Sequence, residues 1–354
     1  MRFCANLLLA FTYLNEARNL KGHKKTLNWG ILSSAKIARE KVIPALKKST
    51  LVGNITLASR NPDNARHWAS ELEIGACSGD YQDLLNDTNI DVIYNPLPNH
   101  LHVPMTIAAL HAGKHVLCEK PIALTSEQLQ QLIAVANQYP DLAVMEAFMY
   151  RHHPRWQIVK NLLDTQYFGK VGYIHVTFTY FNRDPNNVRN QSGIGGGALY
   201  DIGCYCLAVA RLLLNKKPER VIATQWIDAD FKIDKMTSGL MDFGDVQASF
   251  NCATQLAAGQ YIEIQCEQGR IRIDEPFALD AADTDILLFP SGQVPAEKIS
   301  VGYNDHYLTQ IDDYSNALLS HQGAPYGLDD AQTIMALIEA MQQSHATQSW
   351  QDIT

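Results

Sequence analysis

HAGKHVLCEKP, residues His111 to Pro121, is the stretch around which the chain is organised. His111 ends a helical run, Gly113 turns the chain, and His115 to Cys118 form a short apolar strand. The strand stops at Glu119-Lys120-Pro121, which leaves a carboxylate and an ammonium at its carboxyl end. In an open parallel sheet that edge is where ligands bind. Pro121 fixes its own φ and biases Lys120 towards extended backbone, so the lysine is held in place. On its own, Glu-Lys-Pro reads as a surface ion pair closing a strand. The flanking sequence changes that reading.

Upstream, three further apolar runs read as strands: LNWGIL (Leu27 to Leu32), NITLAS (Asn54 to Ser59) and DVIYNPLP (Asp91 to Pro98). A shorter one lies near Ala76, and LAVMEAF (Leu142 to Phe148) follows downstream. Helical stretches separate them: SSAKIARE, restarted at Pro44, then Asp63 to Leu72, Asp83 to Leu85 and Val103 to His111. Strands alternating with helices predict parallel β-α-β units, hence a Rossmann-type dinucleotide-binding domain over residues 27–148. Residues 1–26 read as an extension ahead of it. Their apolar run is too short to span a bilayer, and no small-x-small cleavage site follows it.

The first β-α turn is where helix amides would hold a pyrophosphate. In place of G-x-G-x-x-G it reads Ser33-x-Ala35-x-x-Ala38, so Ser33, Ser34, Ala35, Lys36 and Ile37 are the expected contacts. At the end of the second strand stand Ser59 and Arg60, with no carboxylate before Asp63. A hydroxyl beside a guanidinium fork matches the 2′-phosphate of NADP better than the bare ribose of NAD.

After Pro154 the pattern changes. VGYIHVTFTYF (Val171 to Phe181) alternates with period two, and further strands are expected at Arg220 to Ile227, Thr237 to Phe243, Val246 to Ala253 and Tyr261 to Ile273. The last run is a hairpin turning at Glu267 to Gly269. Strands in succession predict a mostly antiparallel sheet, completed by helices near Leu308 to Ser320 and Asp330 to Ser344. The expected fold is therefore α/β plus α+β: a Rossmann domain, then a domain of residues 149–354 built on an open, mostly antiparallel sheet. Between its first strands, Gly193 to Gly197 lead into a helix that carries Asp201 and Tyr205, four apart and on one face. No Gly-Lys-Ser/Thr follows, so the glycines are read as a close-packed helix entry.

Composition narrows the function classes. Apolar residues make up 46% and charged residues 19%, which fits a globular protein with a sizeable core. The net charge of −8 and the lack of extended basic runs argue against nucleic acid. No segment reaches membrane length. Seven scattered cysteines, several in apolar runs, suggest buried thiols and a cytoplasmic protein. His100 and His102 lie at the opposite sheet edge from His111 and His115, so no metal site is expected.

Gly30-Ile31-Leu32, Ala58-Ser59-Arg60, Pro98-Asn99-His100-Leu101-His102 and Gly113 to Pro121 together resemble the Gfo/Idh/MocA oxidoreductases. Glu146 to Pro154, EAFMYRHHP, is similar to the branch holding dimeric dihydrodiol dehydrogenase and NADP-dependent D-xylose dehydrogenase. The resemblance runs from about Leu27 to the end and departs at Ser33, where a glycine is usual. It implies an enzyme that transfers a hydride between NADP and a sugar, polyol or cyclic diol. It further implies Lys120 and Tyr205 as acid/base groups, with Asp201 positioning them and the lysine charge favouring tyrosinate. Pro96, Leu97, Asn99 and His102 would border the nicotinamide ribose, and Glu119 would touch the cofactor. Arg151 is expected at the cofactor and Arg189 at the substrate. Assembly into a dimer or tetramer through the open sheet face is implied too. A catalytically silent NADP-binding sensor on the same fold is the alternative.

Overall fold

The computed structural model describes residues 26–77, 79–278, 285–291 and 297–353. Apart from Thr26, the expected extension lies outside the described residues. The first sheet contains β1 (Leu27–Leu32), β2 (Val52–Ala58), β3 (Gly75–Ala76), β4 (Val92–Asn95), β5 (His115–Cys118) and β6 (Val144–Glu146). Its order is β3-β2-β1-β4-β5-β6, with every pairing parallel. Strand order reverses between β1 and β4, which opens a crevice at their carboxyl ends. This is the expected Rossmann arrangement.

Five helices cover its two faces: α1 (Ile43–Lys48), α2 (Pro62–Glu71), α3 (Tyr81–Asn86), α4 (His102–His111) and α5 (Ser126–Ala136). The helix expected to restart at Pro44 runs on instead through a π-helical turn, Ala38–Val42. Pro44 then falls in the first turn of α1, directly after the π-helical turn, where the backbone hydrogen-bond ladder is already irregular. α5 was not expected from the sequence, although Thr125 caps it by accepting from Gln128 N at 3.1 Å.

Helix α6 (Arg155–Asp164), also unexpected, leads into the second sheet. That sheet holds β7 (Val171–Phe181), β8 (Arg220–Ile227), β9 (Asp234–Asp242), β10 (Gln247–Ala253), β11 (Gln255–Cys266), β12 (Gly269–Asp274), β13 (Ile286–Pro290), β14 (Glu297–Ile299) and β15 (Gln351–Asp352). The order is β14-β13-β12-β11-β7-β10-β9-β8-β15, and only β7 and β10 pair in parallel. Between β7 and β8 a π-helical turn, Leu199–Gly203, runs into α7 (Cys204–Leu214). Ile174, Val176, Ala248, Phe250 and Cys252 point from the sheet into the core that buries α7. The same core continues without a break onto one face of the first sheet.

The chain then returns to the first sheet. Helix α8 (His306–Leu319) lays Ile311, Tyr314 and Leu318 on the other face, against Trp29, Ile31 and Met145. Fully buried, Tyr314 donates its hydroxyl to the carbonyls of Val116 at 2.9 Å and Ala143 at 2.8 Å. Helix α9 (Leu328–Thr347) bridges as well. Glu339 accepts from Ser126 N at 2.7 Å and from Ser126 Oγ at 2.5 Å, while Ser344 Oγ accepts from Ala223 N at 2.9 Å. Tyr314→Phe leaves the packing and removes a hydroxyl donor shared by two buried carbonyls, one of which, Ala143, also accepts from Val116 N. It is expected to lower unfolding free energy by about 1 kcal/mol, read as a lower urea midpoint at unchanged m-value.

Candidate active site

β5 ends at Cys118, so the Glu119-Lys120-Pro121 segment emerges at the carboxyl edge of the first sheet, with a cis Lys120–Pro121 peptide. From there Lys120 reaches across to the helix entry of the second domain. Its Nζ donates to the carbonyl of Asp201 at 2.6 Å and to Oδ1 of the same residue at 3.4 Å. The ammonium also sits 4.8 Å from the centre of the Tyr205 ring. Residues from two distant parts of the chain thus meet, Lys120 from the first and Asp201 and Tyr205 from the second, and all three line one cavity of about 310 Å3.

The glycine run makes this approach possible. Gly197 has φ +114°, and a Cβ there would lie 2.0 Å from Asp234 Oδ1. Asp234 in turn accepts from Leu199 N at 2.8 Å, which fixes the start of the π-helical turn that carries Asp201. Asn99 donates to the Gly195 carbonyl at 3.0 Å, tying the glycine run to the first domain.

Asp201 is the electrostatic centre. Its Oδ1 accepts from Arg189 Nε at 2.8 Å, and its Oδ2 accepts from the hydroxyl of Tyr180 at 2.5 Å. Burial works to raise its pKa, but the charges of Arg189 and Lys120 and the Tyr180 hydrogen bond outweigh that and hold it below the usual carboxylate range. The expected tyrosinate at position 205 is not found. Burial raises the Tyr205 pKa well above its ordinary value, so the phenol stays protonated. Among the described residues its hydroxyl has only a weak acceptor, Met149 Sδ at 3.6 Å, and the ring rather than the oxygen faces Lys120.

Tyr180, which the sequence reading left unplaced, joins this cluster through its hydroxyl. It follows Ile174, Val176 and Phe178 in the period-two phase of β7, which was the signal that it faces inward. Phe181, one residue on, is 66% exposed. Phe178 and Phe277 stack with centroids 5.1 Å apart, and with Tyr307 and Met149 they complete the apolar lining.

The residues expected at a dinucleotide occupy the first β-α turn and its neighbours. Ser33 adopts φ +78°, a left-handed conformation that glycine would take at less cost. The carbonyls of Ser34 and Ala35 accept from Arg39, at 3.0 Å from its Nε and 3.1 Å from its backbone N–H. Among the described residues the amides of Ser34 and Ala35 have no acceptor, so they remain able to meet a phosphate. Lys36 is exposed near Glu40, and Ile37 is half-buried at the helix start. Ser59 is buried and Arg60 exposed at the end of β2. Small residues at the turn and an exposed guanidinium at the strand end, beside the Tyr81 hydroxyl, fit a dinucleotide phosphate chain.

Other expected contacts turn inward. Pro96 and Leu97 are buried, and the ring nitrogens of His102 lie 2.8 Å from the carbonyl oxygen of Pro121 and 2.7 Å from that of Leu97. His102 is thus a brace behind the Lys120 segment, and burial pushes its pKa down to about 4. Glu119 accepts from the Tyr94 hydroxyl at 2.7 Å, and burial raises its pKa. Arg151 does not reach the cleft. It is buried against Asp330, between the rings of Phe148 and Tyr326, because Asp330 is its available counter-charge. Among the described residues no three His, Cys, Asp or Glu side chains are grouped to hold a metal ion. No helix there is long and apolar enough to cross a membrane.

Residues 27–148 match the family described as "Oxidoreductase family, NAD-binding Rossmann fold", and residues 156–272 match its C-terminal domain. The chain belongs to the Gfo/Idh/MocA oxidoreductase family. An uncharacterized oxidoreductase of Rhizobium meliloti is 37% identical over 92% of this chain and 99% of its own length. A D-xylose 1-dehydrogenase (NADP(+)) of Haloferax volcanii is 31% identical, covering 90% of this chain and 97% of that protein. Among solved structures, KijD10, a 3-ketoreductase from Actinomadura kijaniata in complex with NADP and TDP-benzene, superposes with a TM-score of 0.85 at 28% identity. That match covers 90% of this chain and 98% of KijD10. This Gfo/Idh/MocA protein pairs a Rossmann domain with a second, mostly antiparallel sheet.

Two pH dependences follow from the site. Asp201 has a depressed pKa, so its contribution to stability is present at neutral pH and lost as pH falls below the ordinary carboxylate value. Asp201→Asn is expected to cost about 3 kcal/mol at pH 7 and less at pH 3, read by urea unfolding at both values. Glu146, behind Lys120, shows the opposite sign. Burial pushes its pKa up to about 7, so stability falls as pH rises towards and through 7. Glu146→Gln is expected to flatten that decline in unfolding measured from pH 5 to 8.

Proposed function

We propose that this protein is an NADP-dependent dehydrogenase or reductase acting on a hydroxyl- or carbonyl-bearing carbon of a sugar, polyol or cyclic diol. The observation that carries this reading is the convergence of Lys120, Asp201 and Tyr205 on one aromatic-lined cleft at the carboxyl edge of the Rossmann sheet. The turn of Ser33, Ser34 and Ala35 would hold the pyrophosphate, with Lys36 and Ile37 at the helix start. Arg60, exposed beside Ser59, would take the 2′-phosphate; the next carboxylate along the chain, Asp63, is paired with Arg66. When bound, the nicotinamide supplies or accepts the hydride.

The chain's own groups handle the proton and the orientation. Lys120 donates a proton to the substrate oxygen during reduction and takes one during oxidation. Asp201, kept ionised, aims the ammonium into the cleft, and Arg189 and Tyr180 keep that carboxylate from turning. Tyr205 offers a protonated phenol, whose weak sulfur acceptor is readily exchanged for a substrate oxygen. Phe178, Phe277 and Tyr307 exclude water from the reacting carbon.

The open sheet face is proposed as the contact between subunits of a dimer or tetramer. It presents a hydrogen-bonded row of Tyr173, His175, Thr177, Ser249 and Asn251, with Leu240 39% exposed on neighbouring β9. The free cysteines support a cytoplasmic setting.

Lys120→Met is expected to lower kcat/KM by about 10^3-fold with NADP binding retained, measured by NADPH absorbance and by calorimetry. Binding of NADP by the wild type with no turnover of any sugar or diol would favour the sensor instead. Arg60→Ala is expected to reduce the NADP-over-NAD preference by about 10–100-fold in kcat/KM.

A further inference from the structure

Arg189 uses only part of its hydrogen-bonding capacity. Its Nε donates to Asp201, and among the described residues neither terminal guanidinium nitrogen has a partner. The side chain is 46% exposed and borders the same cavity as Lys120, so a ligand there can reach the unused fork. Asn182, also at the cavity wall, has its Oδ1 taken by Asp184 N and Asn190 Nδ2, while its own Nδ2 has no acceptor among the described residues.

The lining is cationic on balance, with Lys120 and Arg189 set against Asp201. Glu119, the nearby second carboxylate, is outside that lining and tied to Tyr94. On the opposite side Phe178, Phe277 and Tyr205 give a ring-lined floor suited to the apolar face of a sugar. A planar guanidinium with two free N–H edges matches a carboxylate or phosphate, and a neutral hydroxyl uses it poorly.

We infer that the substrate is a sugar or polyol carrying an oxyanion, gripped by the terminal nitrogens of Arg189 while Lys120 meets the reacting oxygen. This rests on the dehydrogenase reading and narrows it to a charge class, carboxylate or phosphate. The simpler role for Arg189, holding Asp201 alone, leaves the fork and the Asn182 amide without purpose.

The test compares glucose, glucuronate, galacturonate and glucose 6-phosphate with the full chain loaded with NADP. Binding is read by calorimetry and initial rate by NADPH absorbance. At least one anionic probe is expected to bind about tenfold more tightly than glucose or better. In Arg189→Met that ratio should fall to about one, and Arg189→Lys should restore part of it. The uronates and the phosphate ester distinguish the two sources of the anion. Glucose binding as well as every anionic probe, or no anionic probe binding, would overturn the inference. So would an equal loss for all probes in Arg189→Met with the ratio intact, which would assign Arg189 to holding Asp201. Arg189-dependent anion binding without any turnover would sink the dehydrogenase reading and leave the anion site standing.

Discussion

One carboxylate holds the two halves of this cleft together. Asp201 receives Lys120 from the tip of β5, Arg189 from the loop before the glycine run, and Tyr180 from β7. Taking these charges out of water is costly, and the cost is offset only while every partner is in place. The clasp therefore does two things at once. It fixes the second domain against the strand tip, and it keeps an ammonium at the wall of the aromatic-lined cavity.

The rest of the molecule supports that registry. Tyr314 bonds the carbonyls of Val116 in β5 and of Ala143 just ahead of β6, and α9 joins α5 to β8 through Glu339 and Ser344. His102 fastens the carbonyl of Pro121 from behind. These contacts make the Lys120 segment a rigid part of the sheet edge, and rigidity of that kind is what proton transfer at a defined atom needs. Arg151, which the sequence suggested for the cofactor, serves instead in a buried ion pair with Asp330 near the return of the chain.

Much of the architecture was legible in local patterns. Six apolar runs separated by helical spacing announce a parallel sheet, and period-two alternation in β7 announces the antiparallel one. The helices α5 and α6 were missed because their apolar positions are interleaved with polar ones and sit beside stronger motifs. The inward phase of Tyr180 was also present in the alternation of β7. Its partner was not, since Asp201 is 21 residues away and pairing at that range depends on how the sheet and the helix pack.

The sequence by itself determined the two-domain plan, the lysine at a strand tip and the carboxylate and phenol one turn apart, because each follows from short-range periodicity and steric limits. Only the tertiary structure decided their roles. It turned the ring of Tyr205, not its oxygen, towards Lys120, kept that phenol neutral by burial, gave Asp201 to Arg189 and Tyr180, and sent Arg151 elsewhere. The reason is physical: protonation and orientation are set by desolvation and by which charges come within a few ångströms, and those neighbours are chosen by packing between segments far apart in the chain.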